Sequence, residues 1–196
     1  MNLLQQLRQA TRSAHRALDQ HPRLAGLVRG GLDMNRYVEA LRGLHGAFDV
    51  LETAAVLSAT VDAYPYQPRC SLLAQDLRQL GSPASSGVAD PFPVPRTAAA
   101  RIGLLYVLEG SLLGGQVIAR NVRRCLGDAV PCAFFGQLTE DEAEARWAAF
   151  TRHALAGQGS DESAADRAIA AARAAFAACQ FELDRPLSSL PAAVSA

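Results

Sequence analysis

Lysine is missing from this 196-residue chain, so all 19 of its basic residues are arginine. Without a lysine amine there is no Schiff-base chemistry, no pyridoxal-phosphate anchor and no phosphate-loop lysine. Cysteine is sparse: Cys70, Cys125, Cys132 and Cys179 form neither a C-x-x-C pair nor a zinc-finger spacing. No secretory leader precedes them, so reduced thiols in a cytoplasmic protein are expected. An excess of one charge is lacking too, since 19 acidic residues balance the arginines. That removes the simplest electrostatic case for a nucleic-acid or membrane-surface partner. No run of about 18 apolar residues stands out, so no membrane span is expected.

What is present is helical periodicity. Apolar residues make up 49% of the chain and charged residues 19%, as in an ordinary globular protein of one domain. Leu4, Leu7, Thr11, Ala14 and Leu18 recur at spacings of three and four, predicting a helix over 3–18. Pro22 and Gly26, Gly30 and Gly31 then interrupt. Asp33 is a candidate N-cap for a second helix with the stripe Met34, Tyr37, Leu41, Leu44, Phe48, Leu51 and Ala55. Further helices are predicted over "RCSLLAQDLRQL", from Ala98 to a stop at Gly127, over "TEDEAEARWAAFTRHALAG", and from about Ser163 to Leu183. "GSPASSGVADPFPVPRT" reads as a surface connector. No strand or repeat is evident. The expectation is one all-α domain of about six helices over 1–187, a disordered tail at 188–196, and a monomer.

Two stretches do not fit plain core. In "LRQATRSAHRAL", residues 7–18, a helix is expected to place His15 on the same buried apolar stripe as Leu7, Thr11, Ala14 and Leu18, with Arg8 and Arg12 near the same side. A lone histidine there is more often a hydrogen-bonded core residue than a metal ligand. With two arginines beside it, an iron centre on a flat apolar ring with anionic edges, which is haem, would use all three. In "EGSLLGGQ", residues 109–116, Gly110, Gly114 and Gly115 each cost a helix about 0.5–1 kcal/mol relative to alanine. Either another helix packs closely there, or the helix bends and lets a flat ligand reach its backbone.

Thr11 to His15 as T-x-x-x-H, together with "YVLEGSLLGGQ" at 106–116, resembles the biliverdin-producing haem oxygenases. The bacterial branch, including members associated with bacteriophytochromes, is the closer match. The resemblance implies a helical bundle with haem between the N-terminal helix and a kinked distal helix. It implies His15 as the proximal iron ligand, with Arg8 and Tyr106 on the haem propionates and Arg12 beside them. Gly110, Ser111, Gly114 and Gly115 match the kinked distal helix, and His45 resembles a histidine that helps hold distal water. Ser111 stands where animal-type members carry an aspartate. Haem b would serve as both cofactor and substrate, opened with O2 to biliverdin, carbon monoxide and ferrous iron. Electrons would come from a ferredoxin or reductase, docked by Arg12, Arg120, Arg123 and Arg124, and a bacteriophytochrome is a candidate recipient of biliverdin. Glu109 is expected to be a packing or surface carboxylate.

Three other readings compete. A di-iron carboxylate site wants E-x-x-H pairs, and no acidic residue here has a histidine three residues on. A thiaminase-like hydrolase needs an activated cysteine, for which the local sequence gives no setting. A haem-binding or sensing protein without turnover would need the same His15 and glycines as the oxygenase.

Overall fold

The computed structural model describes residues 1–82, 90–156 and 162–186. Among them are nine α-helices, one 3-10 turn and no strand, the all-α architecture expected. The helices are α1 (Leu3–Asp19), α2 (Pro22–Arg29), α3 (Met34–Leu57), α4 (Cys70–Gln79), α5 (Ala98–Gly110), α6 (Gly115–Leu126), α7 (Ala133–Gly136), α8 (Glu140–Ala156) and α9 (Glu162–Asp184). The 3-10 turn, Ala59–Val61, follows α3. The predicted tail at 188–196 lies outside the described residues.

Local chemistry sets most helix ends. Asn2 and Gln5 form a reciprocal capping box on α1, and Asp33 accepts the Arg36 N–H at 2.8 Å to start α3. Gly127, at φ 92°, stops α6 where predicted. Two features depart from the expectation. Pro22 opens a helix rather than breaking one, because a proline at the first helical position surrenders an N–H that would be unbonded anyway. The single helix expected from Ala98 to Gly127 is two helices separated at 111–114.

Helix α9 is the wall on which the rest is hung. It packs against α5, α1 and α3, whereas α1 makes at most slight contact with α5 and α6. Small residues permit the close approach. Ala168, Ala172 and Ala175 of α9 are fully buried, and a Cβ on Gly103 of α5 would clash with the Ala168 carbonyl oxygen and sit 2.8 Å from its carbon. On α3, Gly43 and Gly46 make the same kind of room for Leu183 and Glu182.

By length and hydropathy alone, Ala98–Leu126 reaches membrane-span values, with a mean hydropathy of 1.5 over its best 18 residues. This differs from the expectation of no such segment. In the fold the stretch is interrupted, and Leu104, Leu105, Ala119 and Val122 are buried in the protein core.

The irregular chain between α3 and α4 is held by buried charge. Arg101 of α5 donates to the carbonyls of Ala55, Asp62 and Tyr64 and to the Asp62 carboxylate at 2.9 Å. The other Asp62 oxygen meets His153 of α8 at 2.5 Å. At the far end of the segment Glu52 of α3 caps α4 from outside, accepting the N–H groups of Arg69 and Cys70 at 2.8 Å and the Tyr66 hydroxyl at 2.6 Å. Gly103→Ala is expected to cost about 3 kcal/mol or more, above the usual range for an added methyl, because the atom it meets is backbone. Urea unfolding measures this, and a wild-type midpoint would show that α5 and α9 can separate freely.

Candidate functional site

The exposed flank of α1 carries the first part of the site. His15 does not lie on the buried stripe as expected; its side chain is 66% exposed. At about 100° per residue, His15 is rotated about 80° from Leu7, while Ala14 and Leu18 fall within about 20° of it. The buried line is therefore Leu3, Leu7 and Thr11, with Ala14 and Leu18 half-buried. The imidazole instead shares its face with the exposed Arg8 and Arg12, as the spacing of seven and three residues requires. Its Nδ1 meets the Asp19 carboxylate at 2.9 Å, and the Phe176 ring of α9 approaches edge-on with centroids 6.0 Å apart. Asp19 orients the ring from one side and leaves Nε2 free.

The second part is the break between α5 and α6. Leu112 N–H turns to Glu109 O at 3.1 Å, and Gly115 N–H turns to Leu112 O at 3.0 Å, so the spacing tightens from four residues to three. The glycines there have different reasons to be glycine. A Cβ on Gly114 would meet nothing within 4 Å. One on Gly110 would touch the Trp147 ring at 3.6 Å. One on Gly115 would sit 3.0 Å from the Phe135 carbonyl oxygen of α7. Gly115, expected to approach a ligand, is thus buried against α7, and its close neighbour is protein backbone. Leu113 and Val117, beside the open Gly114, are 45% and 47% exposed.

Behind the break lies a residue that the sequence did not single out. Arg69 is 3% exposed, and its guanidinium packs against the touching rings of Phe48 and Phe134, 5.2 and 5.0 Å from their centroids. Its Nη2 donates to Leu108 O at 2.9 Å and to Ser111 Oγ at 2.6 Å. Ser111 in turn donates its hydroxyl proton to Leu108 O, also at 2.6 Å. Burial pulls the Arg69 guanidinium below the ordinary arginine value, while Tyr66 and Glu52 oppose that shift.

The other expected positions fall as follows. Tyr106 is half-buried with its ring 5.8 Å from Trp147 of α8. Glu109 is wholly buried and paired with Arg146 at 2.7 and 2.9 Å, which makes it a packing carboxylate and not a surface one. His45 is half-buried near Asp49 and Cys70, and the hydrogen bonds of Ser111 go to Arg69 and Leu108, not to His45. Arg120 pairs with Glu140 at 3.5 Å, and Arg123 and Arg124 are exposed near the end of α6. No cluster of three or more His, Cys, Asp or Glu suited to a bare metal ion occurs among the described residues. A single imidazole with a carboxylate behind it is instead the donor set of an axial ligand to a metal carried on its own ring.

Known proteins resemble this chain in sequence and in fold. The family model described as Heme oxygenase matches residues 1–180. A curated protein named "Heme oxygenase", from Xanthomonas campestris pv. campestris (strain 8004), is 34% identical over 158 residues, covering 79% of this chain and 92% of that one. Among solved structures, the NO- and CO-bound haem oxygenase of Neisseria meningitidis superposes with a TM-score of 0.74 at 22% identity, covering 100% of this chain and 96% of its own. The haem oxygenase of Leptospira interrogans gives 0.68 at 18%, covering 93% and 98%. Haem oxygenase-1 of Synechocystis sp. PCC 6803, in complex with haem, gives 0.66 at 20%, covering 94% and 91%.

Burial holds His45 below the ordinary histidine value, with Asp49 opposing. The unfolded chain therefore binds that proton more readily, and the fold loses stability as pH drops through the unfolded value of about 6.5. His45→Gln is expected to flatten the fall in unfolding free energy between about pH 7 and pH 5. An unchanged slope in urea titrations would show that the imidazole protonates as easily inside the fold as outside it.

Proposed function

The chain belongs to the haem oxygenase family, and on that footing we propose that His15 holds the haem iron while the break around Gly114 covers the opposite face. The observation that carries this assignment is the exposed His15 imidazole, with Nδ1 engaged by Asp19 and Nε2 free. Metal-bound histidines characteristically donate their second ring N–H to a carboxylate, which fixes the tautomer and raises ligand basicity. When bound, haem supplies the iron at which dioxygen is activated and the porphyrin edge that is opened to biliverdin, with release of carbon monoxide and ferrous iron.

The residues of this chain do the rest. As the residue that would hold the iron, His15 would donate less electron density to it than a thiolate would. Gly114 leaves the space a flat ring needs, and the exposed Leu113 and Val117 give it apolar contact. Arg8, with Arg12 beside it and Tyr106 across the site, anchors the propionates and so sets which meso carbon faces the break. Ser111 has its proton committed to Leu108, so it meets distal water as an acceptor. Gly110 keeps α5 close to Trp147, and Gly115 keeps α6 close to α7. His45 contributes to holding water from α3.

Electrons come from a redox partner. An acidic ferredoxin or reductase fits the exposed arginines Arg12, Arg120, Arg123 and Arg124. Biliverdin delivered to a bacteriophytochrome is the use that the bacterial resemblance favours. A monomer in the cytoplasm agrees with these roles.

His15→Ala should lose most haem affinity and all turnover, with added imidazole restoring both. Haemin titration followed by reductant and oxygen in the visible spectrum reads this, and unchanged turnover would remove His15 from the iron. The two adjacent glycines separate packing from pocket. Gly114→Leu is expected to fold normally and to bind haem at least 10-fold more weakly, a loss of about 1.4 kcal/mol. Gly115→Leu should destabilise the haem-free protein by about 1–3 kcal/mol. Equal haem affinity for Gly114→Leu and wild type would place the ring elsewhere.

A further inference from the structure

We infer that Arg69 is a positioning residue for the reaction: it fixes the break between α5 and α6 and leaves the Ser111 hydroxyl, whose proton goes to Leu108, only an acceptor site for a further partner. In a continuous helix, Leu108 O would accept the Leu112 N–H. Here that N–H goes to Glu109 O, leaving Leu108 O with two other donors, Arg69 Nη2 at 2.9 Å and the Ser111 hydroxyl at 2.6 Å. A cation at the C-terminal end of a helix satisfies the carbonyls that the helix leaves open and opposes its negative dipole end. Arg69 is therefore the C-terminal cap of α5, delivered from a segment about 40 residues earlier in sequence.

The cap cannot easily move. Phe48 and Phe134, themselves in edge-to-face contact, together wall the guanidinium on one side. The Arg69 main-chain N–H is fixed by both Glu52 oxygens, at 2.8 and 2.9 Å. The Nε atom is buried with no hydrogen-bond partner, a cost the fold bears to keep the group in this orientation. Both groups that accept from the Arg69 guanidinium, Leu108 O and Ser111 Oγ, are neutral, and the carboxylates of Glu52 and Glu109 act on its charge through space without bonding to the guanidinium. The serine oxygen accepts from Arg69 and its proton is given to Leu108, which leaves one acceptor lone pair. A water held there must give that lone pair a proton, and its second proton points elsewhere. Arg69 thus sets the direction of hydrogen bonding at the break without touching the substrate.

The part of this inference that concerns the reaction rests on Ser111 facing haem; the capping part does not. Amide hydrogen exchange on haem-free protein therefore comes first. Arg69→Met should speed exchange at Leu112 and Leu113 at least 10-fold, while α9 amides keep their wild-type rates. Unaltered rates at Leu112 and Leu113 in folded Arg69→Met would overturn the cap. Should that variant not fold, Arg69→Lys gives the same reading, and wild-type exchange at Leu112 in that variant would overturn the cap equally. The second reading is the pH midpoint of the visible-band change of the ferric haem complex. A nearby cation favours the deprotonated side of such a transition, so Arg69→Met should raise the midpoint by about half a unit or more. Arg69→Lys should keep the midpoint near wild type but not the slow exchange, because an ammonium cannot bridge two acceptors as a planar guanidinium does. A purely structural arginine would leave the midpoint unmoved in Arg69→Met, and that result would overturn the electrostatic role. A failure of the haem assignment itself appears separately, as full haem binding by His15→Ala.

Discussion

The contact of Gly103 with the Ala168 backbone is the constraint from which the rest of the molecule takes its dimensions. It brings the α5 backbone directly against that of α9, and α9 is also the helix on which α1 rests. The helix bearing His15 and the helix ending at Gly110 thus acquire their separation from a third element. Alanine at 168, 172 and 175 serves this end. The small side chains bury little apolar area individually, but they let the backbones approach and multiply dispersion contacts along the seam.

Charge does for the irregular segment what small residues do for the helices. Arg101, Asp62 and His153 hold the beginning of the stretch between α3 and α4, and Glu52 holds its end at Arg69. Burying such groups is costly unless every partner is present, and here carbonyls, carboxylates and amides answer one another in close geometry. The outcome is a loop whose last residue arrives at the C-terminus of α5 with a fixed orientation. Fold and site meet in that residue.

Much of this was legible in the residue order, and the limits have physical causes. Apolar periodicity revealed the long helices, because a stripe that faces a core repeats at the helix period whatever the partner is. The end signals at Asp33 and Gly127 acted locally and so were readable locally. Pro22 misled because one residue type serves as both a breaker and a first-turn residue, and the choice depends on what precedes it. The glycines announced a break but not its makeup; only packing separates Gly115, which adjoins Phe135, from Gly114, which adjoins nothing. His15 was found for its chemistry and misplaced by position, since steps of four residues drift around a helix and leave the stripe by the second turn. Arg69 gave no signal, because its partners lie about 40 positions away and arginine beside a helix start is usually solvated. Asp19, four residues after His15, lies within reach of the helix spacing rule.

The shared wall has a mechanical meaning. Two flaps joined to one spine, with α8 touching both but little direct contact between them, would open and close by flexing the spine or their own seams. The seam at Gly103 is stiff because backbone meets backbone there. The seam of α1 is softer, made among the described residues of side chains such as Leu3 and Leu7, the His15–Phe176 ring contact and a hydrogen bond from Arg173 to the Ala10 carbonyl at 3.1 Å. Compliance therefore belongs to the side that bears the imidazole, and the glycine side acts as the anvil against which it moves.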